Sequence, residues 1–402
     1  MSPARPLEEH ISDTAMAGLV VLDFTRLLPG PYAAYLLRGF GADVIKVEDT
    51  EAGDYARGLH PLPRSQTGAA FTAANAGKRS IALDLKQAQG REAALALARR
   101  ADVLVESFRP GVMQRLGLGH EVLRCENPRL VYCSITGYGQ HGPLAPLAGH
   151  DLNYQGCAGI LPRDAATGHA VLPQTLTSDL VGGAYSATMS IMAALLARQV
   201  SGQGCYIDLS IAHATAMLLP IEGALVGQQQ HPDAPGLGRL NGGHPCYGLY
   251  ETADGRQVTF AALEEKFWRR FCERAPCPEL AEIPDLTAPP TASRVRAALA
   301  RIFRTRTQAE WVAFGAQWDV CLGPALTSEE ALHALGERPA WRSFAGPGGP
   351  VRVLRGLPVA GDGVDLTPPP SQGQHSAQIL RELGWDEPRI HAALASGAAR
   401  QA

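Results

Sequence analysis

The chain is predicted to be an α/β protein built on a parallel sheet, with a second, mixed block of strands and helices further along. Three observations predict this. Leu19 to Phe24 is a nearly continuous apolar run of the kind found in strands covered on both faces. Pro31 to Phe40 follows with helical spacing, a proline in its first turn and Gly39 and Gly41 at its stop, before Val44 to Val47 makes a second strand. The length of 402 residues exceeds one typical domain and allows two or three.

Composition narrows the class. An apolar fraction of 46% and a charged fraction of 19% are ordinary for a globular protein, and no run of about 18 apolar residues is evident that would cross a bilayer. Residues 1–17 carry scattered charges and no apolar stretch, so they read as a flexible leader rather than a signal peptide, which predicts a cytoplasmic protein without a membrane partner. The net charge of -3 comes without a basic stripe and gives no reason to expect nucleic acid. The eight cysteines, at 125, 133, 157, 205, 246, 272, 277 and 321, form no CxxC pair with metal-ligand spacing. They are expected to be reduced and mostly buried, with no metal or disulfide role.

Taken in order, the first strand ends at Arg26-Leu27-Leu28-Pro29-Gly30-Pro31, and no GxGxxG follows it, so the dinucleotide fingerprint is absent. The next segment, Asn75 to Lys86, places Lys78, Arg79 and Lys86 on either side of a short alternating strand. Such cations lie on a solvated rim, or at the carboxyl edge where an open α/β sheet receives a phosphorylated ligand. A helix over Gln87 to Arg100 leads to the strand Val103 to Glu106 and then to Ser107-Phe108-Arg109-Pro110-Gly111. A further strand, Leu130 to Ile135, ends in Gly137-Tyr138-Gly139-Gln140-His141-Gly142-Pro143, whose glycines and proline force a loop.

That loop runs into Gly149-His150-Asp151-Leu152-Asn153-Tyr154, where a histidine and a carboxylate stand at an expected helix start. Asp179 heads a second helix in Thr177-Ser178-Asp179-Leu180-Val181-Gly182-Gly183. Imidazole and carboxyl from two helix starts are the groups needed to remove a proton from one face of a carbon and return one to the other. The bland alternative is a helix cap with a solvated neighbour.

The ordered motifs Leu-Asp-Phe-Thr-Arg-Leu-Leu-Pro-Gly-Pro, Gly-Ala-Asp-Val-Ile-Lys-Val-Glu, Asn-x-Gly-Lys-Arg-Ser-x-x-Leu-Asp-Leu-Lys, Phe-Arg-Pro-Gly, Gly-Tyr-Gly-Gln-x-Gly-Pro and Gly-His-Asp together resemble the family III CoA-transferase and α-methylacyl-CoA racemase family (CaiB/BaiF-like). The resemblance is densest from residue 18 to about 210 and returns at Tyr250 to Gly255 and Gly373-Gln374-His375. It implies a large doubly wound, Rossmann-like domain formed by both termini, a smaller inserted α+β domain, and an interlocked homodimer. The boundaries expected are 18–222 for the first part of the large domain, 223–243 for a linker, 244–330 for the small domain and 331–402 for a linker and the return. Within them, Leu180 to Gln199 reads as a long helix and Cys205 to Leu209 as a strand. Tyr247 to Glu251 and Val258 to Ala261 read as a hairpin, with helices near Glu264 to Arg274, Arg294 to Phe303 and Gln308 to Trp318.

By the same resemblance the substrate is an acyl-CoA, with coenzyme A as substrate moiety and no prosthetic group or metal. Racemisation of a 2-methylacyl-CoA through an enolate would use His150 and Asp179 on opposite faces, with Glu251 supporting the histidine and Asp151 in the same first turn. CoA positions carry over to Leu83, Lys86, Ser107, Phe108, Arg115 and Leu116. One departure stands out: relatives often have an arginine after the second strand where this chain has Asp49, and Lys46 or Arg109 is expected to compensate. The alternative activity moves CoA between carboxylic acids with Asp179 as nucleophile. The transferases generally lack the histidine, so His150 favours the racemase. A third reading, a CoA-binding protein without turnover, is disfavoured by the presence of both proton carriers.

Overall fold

The computed structural model describes residues 15–59, 67–164, 167–229, 240, 243–334, 341–346, 349–354 and 367–402. The chain divides into two compact units, one spanning 1–164, 169–218 and 338–402, the other 165–168 and 219–337.

The first unit is a mixed α/β structure around a seven-stranded sheet. Its strands are β1 (Val20–Phe24), β2 (Asp43–Glu48), β3 (Arg79–Leu83), β4 (Val103–Glu106), β5 (Val131–Thr136) and β6 (Tyr206–Ser210), all parallel, with the short C-terminal strand Ala399–Arg400 antiparallel against β3. From the C-terminal strand inward the order is C-terminal strand, β3, β2, β1, β4, β5, β6, so the chain reverses direction across the sheet between β1 and β4. Alternate residues of each strand feed two cores, which is why the strands read as continuous apolar runs. On one face Leu22, Ile45, Ile81 and Leu104 meet the Ala88–Arg100 helix and, from the C-terminal return, Ile379, Leu380 and Ile390. On the other face Val21, Val44, Val103 and Val131 meet the Pro29–Gly39 helix and Ala187, Ile191 and Leu195 of the Ser186–Ser201 helix.

The Gly373-Gln374-His375 motif has a structural job. Gly373 N–H donates to Ser80 Oγ, His375 N–H to the Ser80 carbonyl, and Ser80 N–H to His375 Nδ1, sewing the C-terminal return to β3. Gly373 has φ +72°, and a Cβ there would lie 2.3 Å from the Arg400 carbonyl oxygen, so only glycine fits.

The second unit contains a three-stranded antiparallel sheet in the order β7 (Tyr247–Glu251), β8 (Gln257–Ala261), β9 (Leu322–Pro324), packed with the helices Glu265–Arg274, Pro289–Phe303 and Gln308–Trp318. Its core is aromatic: Phe260, Phe271, Phe303 and Trp311 are fully buried against one another, and the Trp311 indole N–H donates to the Phe303 carbonyl at 2.7 Å.

Several expectations need correction. The start of the expected linker 223–243 is helical, within Pro220–Gly227, and residues 230–239, 241 and 242 lie outside the described residues. Ser178–Ser201 is, by length and composition, long and apolar enough to cross a bilayer, although Arg198 and its small residues dilute the run in the sequence. The thiols are not mostly buried, since Cys125, Cys157, Cys205 and Cys321 are exposed. A hairpin of Trp341–Gly346 and Gly349–Leu354 and the C-terminal strand went unforeseen.

Candidate active site

The crevice where strand order reverses lies at the carboxyl ends of β1 and β4, the usual ligand position of an open α/β sheet. The β1 loop there is held from beneath by buried charges. Lys46 Nζ donates to the Thr25 carbonyl at 2.9 Å and pairs with Asp54 at 2.9 Å, and Asp54 Oδ1 accepts the N–H groups of Leu27 at 3.0 Å and Ala56 at 2.9 Å. Lys78 Nζ donates to Asp23 at 2.7 Å, the Pro31 carbonyl at 2.8 Å and Asn75 at 2.8 Å. Burial would raise the Asp23 carboxyl, but Lys46 and Lys78 outweigh it and hold it at about 2. For Lys78 burial wins, lowering the ammonium to about 8 despite Asp23.

This corrects two expectations. Lys78 is neither on a rim nor at a ligand edge, and Lys46, with no exposed side-chain surface, does not replace a missing surface cation. Both are structural because every polar atom they reach belongs to the β1 loop, its helix, or the buried side chains of Asp23, Asp54 and Asn75.

The predicted CoA positions divide in the same way. Leu83 is in the hydrophobic core and its backbone pairs with Ala399, so its side chain faces protein. Ser107 and Phe108 follow β4; Ser107 Oγ accepts the Arg26 backbone N–H at 3.2 Å, and the Arg26 guanidinium lies 5.6 Å from the Phe108 ring centre. Leu116 packs partly buried on the core. Lys86, Arg109 and Arg115 are exposed and form no ion pair among the described residues.

The stretch around His150 folds as its residues suggest. The loop after β5 turns at Gly139 and Gly142, both at positive φ, and Gly137 and Gly149 lie so close to the Tyr154 ring that a Cβ would come within 2.3 and 2.7 Å of it. His150 then caps the Asp151–Ala158 helix from an extended conformation, and Asn153 Oδ1 accepts its backbone N–H at 3.0 Å. The imidazole is exposed, and no side-chain partner holds it among the described residues. Among the described residues the backbone N–H groups of Asp151 and Leu152 find no hydrogen-bond acceptor, leaving two donors at the positive end of the helix.

Asp151 is the link between the two helix starts. Its carboxylate is buried; Oδ1 accepts the backbone N–H of Asp179 at 2.9 Å and Oδ2 the Gln155 amide at 2.6 Å. Gln155 also donates to the Thr175 carbonyl at 3.1 Å, tying the incoming loop to the same point. Burial, with the nearby Asp151 charge second, raises Asp179 to about 7. Asp179 lies in a π-helical segment, Ser178–Tyr185, that opens the long helix. Close packing accounts for the small residues there: a Cβ on Gly182 would lie 2.2 Å from Thr215 Oγ1, and one on Gly183 2.7 Å from Pro29.

Glu251 ends β7 in the second unit, half-exposed, with its carboxylate on Arg304 at 2.6 Å. Sequence reasoning missed Gln155 and Tyr154 as parts of the site. Tyr154 packs edge-on to Tyr138 at 5.3 Å, donates to the Gly149 carbonyl at 2.5 Å, and its hydroxyl is raised to about 12 by burial and then by Asp179. Both stand at helical spacing behind Asp151, which was the available signal.

The sequence profile described as CoA-transferase family III matches residues 16–376. The chain is 34% identical to the α-methylacyl-CoA racemase of Mus musculus over 93% of this chain and 95% of that protein. It is 32% identical to the succinyl-CoA:glutarate CoA-transferase of Mus musculus over 99% and 93%. The crystal structure of a CAIB/BAIF family protein from Brucella suis superposes with a TM-score of 0.77 at 28% identity, covering 92% of this chain and 99% of that one.

Proposed function

We propose, from the premise that this chain belongs to CoA-transferase family III, that it racemises a 2-methylacyl-CoA by 1,1-proton transfer. It is an enzyme of CoA thioesters, related both to racemases and to transferases. The observation that carries the choice is the pairing of two proton carriers through Asp151. An exposed imidazole sits one residue from the carboxylate that fixes Asp179, and Asp179 is held near neutrality, where it is present both as acid and as base.

In one direction His150 removes the α-proton, the electron pair moves onto the thioester oxygen, and Asp179 delivers a proton to the other face; the reverse reaction exchanges the roles. The Asp151 and Leu152 N–H groups are the proposed donors to the enolate oxygen. The exposed cations Lys86 and Arg115 are proposed to meet CoA phosphates. The purified protein is expected to wash the α-hydrogen of a 2-methylacyl-CoA into D2O without an acceptor acid. Absence of exchange alongside rapid CoA movement to a free carboxylate would establish the transferase reading, which the relative at 32% identity supports.

The assembly proposed is an interlocked homodimer in the cytoplasm. What supports the dimer is apolar surface: Met189, Leu196 and Val200 on the long helix are 67, 71 and 93% exposed, and the Pro220–Gly227 helix buries no residue at all. Dimerisation is then part of folding, so dilution is expected to unfold the chain rather than release an active monomer. Sedimentation and activity measured together across a dilution series check this, and a folded, active monomer would refute it.

A further inference from the structure

Gln155 stands one turn along the Asp151–Ala158 helix from Asp151 and is 1% exposed. Its amide nitrogen has two acceptors, Asp151 Oδ2 at 2.6 Å and the Thr175 carbonyl at 3.1 Å. Because both neighbours only accept, the NH2 end of the amide and not its oxygen must face them. Thr175 lies four residues before Asp179, and the other oxygen of Asp151 accepts the Asp179 N–H at 2.9 Å. One buried amide thus holds the approach to Asp179 at one point and, through Asp151, its backbone at another.

Few other side chains would serve there. No cation pairs with the Asp151 carboxylate among the described residues, so its charge is answered by N–H groups and by the first turn of its own helix. A glutamate at 155 would set a second charge beside it, and a lysine or arginine would cancel the charge that Asp179 feels. An apolar side chain would leave two buried acceptors short of donors. The geometry calls for a neutral double donor of this length.

Asp179 feels Asp151 and no other charge. Burial raises its carboxyl first and Asp151 second. The Pro29–Gly39 helix, packed on the Ser178–Tyr185 segment, carries Tyr32, Tyr35 and Arg38; the Ile211–Ala216 helix carries an exposed His213, and β6 carries Tyr206 and Asp208. Arg198 lies at the far end of the helix that follows, and Tyr154 is itself raised by burial and then by Asp179. None of these offsets Asp151.

We propose that Gln155 is a positioning residue for the proton transfer, locking the Asp151 carboxylate against the Asp179 N–H and holding the start of the Asp179 helix in place. The inference rests on the reading that Asp179 carries a proton to and from the substrate.

Carbon NMR of the full-length protein bearing carboxyl-labelled aspartate, with Asp179 assigned by its loss in Asp179→Asn, follows the Asp179 titration directly. In Gln155→Met the buried Asp151 carboxylate, left with one donor, takes up a proton or turns to water, and the charge beside Asp179 is lost. The Asp179 midpoint is then expected to move down by about one pH unit, a tenfold change in proton affinity. Gln155→Glu adds a like charge beside Asp151 and is expected to move the midpoint up. Opposite signs separate this role from damage to the fold, and if only one variant folds its sign alone decides. Gln155→Met is also expected to lower kcat for racemisation and leave KM near the wild-type value, since the amide is too buried to meet substrate. Unmoved midpoints, or shifts of one sign in both variants, overturn the proposal. A wild-type protein that exchanges no α-hydrogen of a 2-methylacyl-CoA overturns the functional reading and this inference with it, whereas wild-type exchange with an unmoved midpoint in Gln155→Met overturns this inference alone.

Discussion

Replacing Asp179 by alanine is expected to slow epimer interconversion of a 2-methylacyl-CoA by about 10²–10⁴-fold, the contribution of one positioned acid–base group. His150→Ala is expected to lose inversion by a similar factor. The proposed mechanism, with one group for each face, makes the two differ in what remains: His150→Ala should retain α-proton exchange through Asp179, and Asp179→Ala exchange through His150. The double substitution is expected to be little worse than the poorer single one, since both losses fall on one proton path. Exchange through Asp179 also has a pH signature. With Asp179 at about 7, its base form grows and its acid form fades as pH rises through neutrality. Exchange in His150→Ala should therefore rise with pH and level off above about 8, roughly one unit beyond that midpoint. If Asp179 were instead a nucleophile for CoA transfer, Asp179→Ala would be dead and His150→Ala nearly intact. Full inversion by His150→Ala would refute the role given to the histidine.

Lys46→Met is expected to destabilise the sheet unit by about 3–5 kcal/mol, the cost of leaving buried carboxylates without their partner ion. Asp54 and Asp23 face Lys46 at 2.9 and 3.9 Å with no exposed side-chain surface, and Lys78 answers only for Asp23. The pH dependence follows from Asp23. Its depressed carboxyl contributes stability above the ordinary aspartate range that is lost as pH falls through about 2. In Lys46→Met the Asp23 carboxylate, left with Lys78 alone, takes up a proton more readily, so the gap between variant and wild type is expected to narrow below about pH 4, near the ordinary aspartate range. Denaturant melts at pH 7 and at about pH 3 measure both. A change under 1 kcal/mol at pH 7 would show that the loop stands without the network.

The sheet was legible because its strands are buried on two faces and so spell themselves as apolar runs; β1, β2, β4 and β5 are within a residue or two of where those runs lie. The helix starts at His150 and Asp179 were legible from their neighbours, but the tie between them was not. That tie is a side chain, Asp151, reaching a backbone N–H 28 positions away, and no local pattern encodes such a reach. Lys46 and Lys78 misled for a related reason. Charge suggests surface, and only the three-dimensional arrangement reveals that Asp23 and Asp54 accompany them inside. The Ala399–Arg400 strand is too short to carry any period, and it is held by Ser376 and β3 rather than by its own sequence.

The antiparallel Ala399–Arg400 strand makes the order of synthesis matter. Every parallel strand of the sheet is encoded by residue 210, yet the outer edge of β3 waits for its partner at Ala399–Arg400. At usual elongation rates that interval of about 190 residues lasts roughly 10–40 s, long compared with local folding. During it the nascent sheet shows an open, apolar edge and lacks the Ile379, Leu380 and Ile390 that cover one of its faces. The sheet thus cannot be closed by its six parallel strands alone; the Ala399–Arg400 segment is the keystone of that edge.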